Sequence, residues 1–386
     1  MFAAIALLAD TNLLMIGLPG EAKTRFALAV LSRLEGTRFV KSLKPGTTVE
    51  EVLGLPDFGL LKRSIHKLVP AGLPQANYAF LDELFRGPEE LLSSLLDIIL
   101  EKLLREGISE IQVPLLWSIA ASNFVIMEKA MQAVLDRFPI RIAVGTTGVL
   151  DRYRVMTQPH GNTGDVIGRP MVGIDDVLYL RELVGNTGDS QIYAPPHLLF
   201  LANEVATLLE QSQIETSGST IVPRRYSTRT LARIPDILKI IALLNGRFTV
   251  SARDLKDGLS ACLVPAVMGS MNDNLFDGVN ASRIALADLI DKTLSKYADE
   301  SVLAAIDTML AIVDIVDAGG KVSPASRKTL GLNTTVTKLS FEEMATFLNK
   351  SSDLVANHSE LLDTLSKSVV GLMDASAQRN NRVRLS

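Results

Sequence analysis

The sequence predicts an α/β fold with a parallel sheet in its first part and an all-α organisation in the rest. Over residues 1–145, short apolar runs alternate with helical patterns, which is typical of β/α units. A polar, glycine-rich connector follows at residues 146–175. Beyond it, apolar residues recur every three or four positions, which predicts a small helical lid at residues 176–270 and a helical extension at residues 271–386.

The composition favours a soluble protein of the reducing cytosol. The 386 residues carry a formal net charge of −4, which argues against a protein that coats nucleic acid. The single cysteine, Cys262, excludes a disulfide framework and a cysteine-based metal cluster, and the four histidines lack the spacing of zinc ligands. The apolar segments Met1–Leu8 and Ser301–Ala318 are too short or too interrupted by aspartates to span a bilayer. We therefore expect a cytoplasmic location.

The first apolar run leads into a loop with the pattern of a phosphate-binding P-loop. Residues Gly17–Thr24 follow G-x-x-x-x-G-K-[ST], with Ala22 in place of the last glycine, between an apolar strand and a helix. The N–H groups of such a loop favour a triphosphate, while Lys23 would reach its outer phosphates and Thr24 would ligate Mg²⁺. The alternative is a chance match, and alanine fits such a loop where its φ stays negative. The residues expected to line the phosphates are Gly17, Pro19, Gly20, Glu21, Ala22, Lys23 and Thr24.

Several further elements of the first part follow in order. Arg38–Val40 predicts a short strand, and Thr47–Gly54 a helix with a hydroxyl cap and a terminal glycine. Glu89–Gly107 predicts a long amphipathic helix and Gly107–Val113 a hairpin. The apolar run Ile140–Val144 predicts the last strand of the sheet.

Polar side chains follow two of the other apolar strands. The run Asn77–Glu83 ends in Asp82 and Glu83, and the run Leu115–Asn123 ends in its asparagine. Because parallel strands meet a ligand at their carboxyl ends, we expect these side chains to converge beside the P-loop. Asp82 would hold Mg²⁺ through water, Glu83 would polarise the attacking water, and Asn123 would orient that water or sense the γ-phosphate. Taken alone, the acidic pair would be a solvated strand end.

These segments resemble the signatures of AAA+ ATPases of the MoxR group, especially its RavA-like members. The resemblance covers roughly residues 3–265, and an alanine at the position of Ala22 is typical of that group. Leu18, which replaces a usual proline, and Glu21, an acid beside an expected anion, depart from the pattern. The segments similar to Walker A, Walker B, sensor 1 and the arginine finger are Gly17–Thr24, Phe80–Arg86, Ala120–Asn123 and Leu135–Phe138.

The resemblance also assigns two arginines. Arg137 is the expected finger, which would reach the γ-phosphate of a neighbouring subunit. Local pairing with Asp136 or Glu128 is the alternative. Arg229, in the segment similar to sensor 2, is the expected contact from the lid to the γ-phosphate. Arg225 competes for that role, and an ordinary surface arginine is the third possibility.

The resemblance implies an ATP-hydrolysing, Mg²⁺-dependent, chaperone-like ATPase. Such a protein would form a homo-oligomeric ring, expected to be a hexamer. It would remodel a protein partner, which in this group often contains a von Willebrand factor A domain. The helix and hairpin at 89–113 would face the pore of the ring, or simply complete the core. Two alternatives stay open: a DNA-linked AAA+ factor such as a helicase loader, against which the acidic balance argues, and a non-hydrolysing scaffold.

The second part of the chain predicts a series of helices and a terminal tail. The C-terminal helices would serve partner docking, ring assembly or only their own core, and Gln378–Ser386 predicts a frayed tail. The predicted helical segments are 177–183, 197–209, 230–244, 251–263, 284–297, 303–313, 341–348 and 361–372.

Overall fold

The computed structural model describes most of the chain in two compact units. The first comprises Met1–Tyr193 with Leu209–Ala287, and the second comprises Ala194–Leu208 with Asp288–Ser386. The described residues are 1–56, 68–106, 109–123, 137–144, 153, 156–157, 168–185, 192–211, 214–216, 219–221, 226–263, 275–356 and 358–384. Most of the predicted connector at 146–175 therefore lies outside the described residues.

A five-stranded parallel sheet forms the centre of the first unit. Its strands are β1 (Leu13–Gly17), β2 (Arg38–Ser42), β3 (Tyr78–Asp82), β4 (Trp117–Ser122) and β5 (Ile140–Val144). Their order is β2-β3-β4-β1-β5, so β1 lies between β4 and β5. Strands β1 and β4 are buried apolar runs, as expected of strands covered on both faces, whereas the side chains of the edge strand β2 alternate between exposed and half-buried. The predicted α/β class is confirmed.

The strand register brings the carboxyl ends to one edge of the sheet. Ile16 of β1 pairs with Ser122 of β4, and Ser42 of β2 pairs with Asp82 at the end of β3. The residues that follow β1, β3 and β4 therefore emerge beside one another. This edge carries the predicted loop and the predicted polar strand ends.

The helices of the first unit include those that cover this sheet and those of the segment predicted as the lid. They are α1 (Phe2–Leu8), α2 (Lys23–Leu31), α3 (Val49–Leu53), α4 (Glu89–Glu101), α5 (Ile174–Val184), α7 (Thr228–Leu244) and α8 (Ala252–Cys262), while α6 (Pro196–Gln211) lies mostly in the second unit. The Thr48 hydroxyl caps α3 by accepting from the Glu51 N–H, as predicted. Among the described residues, three further antiparallel strand pairs join 54–56 with 68–70, 103–106 with 109–112, and 214–216 with 219–221.

The predicted helix Glu89–Gly107 is too long. Helix α4 ends at Glu101, because Lys102 turns left-handed at φ 57°. Leu103–Glu106 then forms a strand with Ser109–Gln112, so the hairpin begins earlier than predicted. The apolar pattern predicted a longer helix because Leu103 and Leu104 continue the helical spacing. In the structure their backbone groups pair instead with the antiparallel strand Ser109–Gln112.

The second unit is helical. Its remaining helices are α9 (Leu275–Lys296), which begins in the first unit, α10 (Glu300–Asp317), α11 (Pro324–Thr329), α12 (Phe341–Val355) and α13 (Glu360–Arg384). Gly319 and Gly320 follow α10 with positive φ, as expected of residues that end a helix. The predicted tail at Gln378–Ser386 is instead helical as far as Arg384. Among the described residues, no helix is long and apolar enough to cross a membrane.

Candidate nucleotide-binding site

The loop after β1 is tightly constrained by its neighbours. A Cβ on Gly17 would lie 2.2 Å from the carbonyl oxygen of Val144, so only glycine fits between β1 and β5. Gly20 has φ 88° and Ala22 has φ 56°. Ala22 therefore does not have the negative φ that would spare its Cβ this strain. Left-handed residues curve the backbone so that successive N–H groups face one ligand, and this loop accepts the steric cost of an alanine Cβ there.

Lys23 lies at the centre of the site. Its side chain is 7% exposed, and its Nζ donates to the carbonyl oxygens of Gly17 and Leu18, each at 2.8 Å, and to Oδ1 of Asn123 at 2.6 Å. Burial lowers the pKa of Lys23, while the carboxylates of Asp82, Glu83 and Glu21 oppose that shift. The ammonium thus points back across the loop, where a phosphate would compete with these oxygens for its protons. That placement suits the role predicted for it.

Thr24 and Asp82 form the second contact of the site. The Thr24 hydroxyl donates to Oδ2 of Asp82 at 2.7 Å, and the other carboxylate oxygen accepts from the Glu83 N–H at 3.0 Å. A hydroxyl and a carboxylate are hard oxygen ligands of the kind that Mg²⁺ prefers when phosphates complete its shell. Among the described residues, no group of three or more acidic, histidine or cysteine side chains forms a separate metal site. The pair therefore fits Mg²⁺ held jointly with a nucleotide.

Glu83 is fixed by partners on both sides. The Asn123 Nδ2 donates a short hydrogen bond to its Oε1, and the Arg86 Nε lies 3.4 Å from its Oε2. The main chain of Glu83 is left-handed, at φ 55°, which turns the side chain out of line with β3. One amide thus contacts both Lys23 and Glu83. A role for Arg86 was not predicted from the sequence, although its spacing of three residues from Glu83 suits an ion pair.

Arg137 lies at the other end of the sheet. The Asn12 Nδ2 donates to its carbonyl oxygen at 3.2 Å, and Asn12 is the residue before β1. Because Leu13 pairs with Ile140, Arg137 lies beside the amino end of β1. The five residues of β1 span about 17 Å, which separates this main chain from the loop on the opposite edge. The structure therefore does not bring Arg137 to the site of its own chain, and Asp136 and Glu128 lie outside the described residues.

Arg229 lies in the first turn of α7 and is exposed. Within the part of the chain that the structure describes, it makes no hydrogen bond or ion pair. One turn later, Arg233 donates to the carbonyl oxygen of Ala9 at 3.3 Å and lies 3.8 Å from Asp10. This turn of α7 thus lies near the amino end of β1, and no contact joins Arg229 to Lys23. Arg225 lies outside the described residues.

The comparisons concern mainly the first part of the chain. Residues 2–156 match the family model of the MoxR domain in the MoxR-vWA-beta-propeller ternary systems. Two uncharacterized proteins of Methanocaldococcus jannaschii are each 34% identical over 145 residues, which is 37% of this chain and 38% or 39% of theirs. The structural protein ORF618 of Acidianus two-tailed virus is 36% identical over 135 residues, 33% of this chain and 22% of its own. The matches thus span less than half of each relative.

The fold also has a solved counterpart. The crystal structure of a presumed ATPase from Cytophaga hutchinsonii ATCC 33406 superposes with a TM-score of 0.55 and 19% identity, and covers 76% of this chain and 87% of that one. At that identity the likeness concerns the fold alone. The α/β core matches a MoxR family model, and Asp82, Glu83 and Asn123 lie beside the loop Gly17–Thr24 at one edge of the sheet. Over residues 2–156 the chain is therefore similar to MoxR domains, in agreement with the motifs that resemble those of MoxR-type AAA+ ATPases.

Proposed function

We propose that this protein hydrolyses Mg²⁺-ATP at the interfaces of a ring, expected to be a hexamer, and uses the cycle to remodel a protein partner. The observation that carries the proposal is the single amide of Asn123, which joins the ammonium of Lys23 to the carboxylate of Glu83. Lys23 would bind the β- and γ-phosphates, Thr24 and Asp82 would hold Mg²⁺, and Glu83 would accept a proton from the attacking water. Mg²⁺ would neutralise charge on the transferred phosphoryl group.

Two arginines support hydrolysis between subunits. The main chain of Arg137 is separated from the loop of its own chain by the length of β1. Arg229 lies one helical turn from Arg233, which contacts the chain just before β1. An arginine that stabilises transition-state charge must reach the γ-phosphate, so these side chains would serve a second copy of the chain. The site is therefore incomplete without a partner subunit.

The nature of the remodelled partner rests on the family. The matching family model is named for systems that combine a MoxR domain with a vWA protein and a β-propeller. We infer that the client or co-factor protein contains a von Willebrand factor A domain and that the role is chaperone-like. The polar network around Glu83 favours this over a scaffold that binds nucleotide without turnover, since a scaffold has no use for a positioned base.

The test measures ATPase rate and particle mass in the same sample, for wild type, Glu83→Gln, Lys23→Ala and the control Glu50→Gln. Glu50 is an exposed acid in the first turn of α3. Wild type and Glu50→Gln should hydrolyse ATP and assemble with it, Glu83→Gln should bind ATP and assemble but lose at least about 100-fold in rate, and Lys23→Ala should fail to bind. A wild type that neither binds ATP nor changes mass would refute the proposal. Undiminished turnover in Glu83→Gln would remove the base role from Glu83.

The trans role of Arg137 has its own test. Arg137→Ala rings and Glu83→Gln rings should each be inactive. When the two proteins are mixed and reassembled, an interface that combines an intact site with an intact finger should recover part of the activity. Absence of any recovery would leave Arg137 a local structural residue.

A further inference from the structure

The side chain of Asn12 bridges β4, on one side of β1, and the segment that leads into β5 on the other side. It is 6% exposed, and its Oδ1 accepts from the Ser118 hydroxyl at 2.7 Å, while its Nδ2 donates to the carbonyl oxygen of Arg137 at 3.2 Å. Ser118 is fully buried on β4. The amide thus uses its acceptor toward one neighbouring strand and its donor toward the segment that leads into the other.

The two strands joined in this way carry different parts of the proposed reaction. Strand β4 runs from Trp117 to Ser122 and leads directly into Asn123, which contacts Lys23 and Glu83. The chain from Arg137 leads into β5. Asn12 therefore connects β4, the strand that leads to Asn123, with the main chain of Arg137, the arginine proposed to act on a neighbouring subunit.

The bond from Asn12 fixes the main chain of Arg137 from one side. On the other side, the next residue, Phe138, is completely buried. A guanidinium on a long side chain can act only if its Cα is held in place, because displacements of about 1 Å in a reacting geometry cost up to 100-fold in rate. The donor of a buried amide, aimed at this one carbonyl, provides such a restraint.

We propose that Asn12 is a positioning residue for Arg137, so that it acts at the site of the neighbouring subunit and not at the site of its own chain. This inference rests on the trans role proposed above for Arg137. The competing explanation is that Asn12 merely satisfies buried polar groups at the start of β1. A purely structural residue would affect the site of its own chain as much as the neighbour's.

The test places Asn12→Asp in one or the other partner of a hybrid ring. Aspartate is nearly isosteric with asparagine and keeps an acceptor for Ser118, but in its ionised form it has no donor for the Arg137 carbonyl. Glu83→Gln subunits supply only the finger, and Arg137→Ala subunits supply only the site. The parent mixture without a change at Asn12 provides the reference activity, and ATP affinity is measured for every subunit.

We expect Asn12→Asp in the finger-supplying subunit to lower the activity of the hybrid at least about tenfold, with unchanged ATP affinity. The same change in the site-supplying subunit should lower it by no more than about twofold, since that subunit's own finger is already missing. Ser118→Ala in the finger-supplying subunit should give a smaller loss in the same direction, because it removes only the far support of the amide.

Three results would overturn the inference. Equal losses from both placements would make Asn12 a structural residue, and no loss from either would show that the bond to Arg137 has no effect on the finger. A parent mixture that recovers no activity would refute the trans role of Arg137, and this inference with it. If Asn12→Asp does not fold, Asn12→Leu, of similar size and also without a donor, takes its place in the same two subunits.

Discussion

The ammonium of Lys23 and the side-chain oxygen of Asn123 are joined by a hydrogen bond of 2.6 Å across the carboxyl edge of the sheet. The same asparagine donates from its nitrogen to Glu83. The residue expected to sense the phosphate is therefore already bound to the residue expected to hold it and to the residue expected to activate water. A change at this amide should alter chemistry more than binding.

Asn123→Ala should lower kcat at least about 30-fold and change ATP affinity less than about threefold, because Lys23 keeps its loop contacts while Glu83 loses its orienting donor. Single-turnover hydrolysis and fluorescent-nucleotide titration would measure the two quantities separately. Asn203→Ala, an exposed asparagine on α6, is the matched control and should behave as wild type. A variant that loses affinity and keeps kcat would show that Asn123 acts in binding instead.

Ala22→Gly should stabilise the first unit by about 1 kcal/mol, because glycine removes the clash of a Cβ at φ 56° and outweighs its own greater freedom in the unfolded chain. Thermal or urea unfolding without nucleotide would measure the difference. The control is Ala29→Gly within α2, where the same exchange should destabilise by about 1 kcal/mol. If Ala22→Gly destabilised the protein, the contacts of the Ala22 Cβ would contribute more free energy than its left-handed backbone costs.

The sequence was sufficient for the sheet and for the convergence of its strand ends. Buried parallel strands read as continuous apolar runs, so Asp82, Glu83 and Asn123 could be placed beside the loop from their positions alone. The end of α4 at Lys102 and the φ of Ala22 could not be predicted, because the same residues suit two backbone conformations. The hydrogen bonds of Asn12 depend on the strand order, which places β1 between β4 and β5. Local sequence patterns do not predict that order, so these bonds could not be predicted.

Glu21→Gln should raise ATP affinity about two- to fivefold at low salt, because it removes a negative charge close enough to Lys23 to affect its pKa. The gain should shrink at about 0.5 M salt, where exposed charges are screened. Isothermal titration calorimetry at low salt and at about 0.5 M salt would measure this gain in ATP affinity. Glu50→Gln removes another exposed acid and serves as the control. An unchanged affinity at low salt would place the Glu21 carboxylate too far from the phosphates to matter.

Lys102→Met should stabilise the protein by about 1–2 kcal/mol at pH 7. Burial lowers the pKa of Lys102 to about 8, with Arg181 and Arg233 adding to that shift and Asp10 opposing it. Below pH 8 both states are protonated and the full cost of the buried charge is present. Between pH 8 and about 10.5 the folded state has released a proton that the unfolded chain still binds, so wild-type stability should gain relative to the variant.

The measurement for Lys102 is urea unfolding of both proteins across pH 7–10.5. The difference between them should stay nearly constant up to about pH 8 and then fall between pH 8 and about 10.5. Lys44→Met, an exposed lysine, serves as control and should show no such trend. A difference that stays constant with pH would show that Lys102 keeps its proton in the folded protein.

Arg247→Ala should destabilise the region around α8, because it leaves a fully buried carboxylate without its main partner. Arg247 binds Asp254 with both terminal nitrogens, at 2.6 Å for Nη1 to Oδ2, and Asp254 also accepts from the N–H and hydroxyl of Ser251. Burial alone would raise the pKa of Asp254, but the hydrogen bonds from Arg247 and Ser251 lower it. In wild type this carboxylate therefore stabilises the fold above the ordinary aspartate pKa and loses that effect as the pH falls through its lowered pKa.

In Arg247→Ala the sign should reverse, because burial would then dominate and protonation of Asp254 would relieve the cost. Hydrogen exchange of the α8 amides at pH 7 and pH 5 would measure this directly, since Asp254 lies in the first turn of α8. The variant should exchange faster than wild type at pH 7, and the gap should narrow at pH 5. Arg253→Ala, an exposed arginine on the same helix, should match wild type at both pH values. If Arg247→Ala matched it as well, the pair with Asp254 would contribute nothing to the stability of α8.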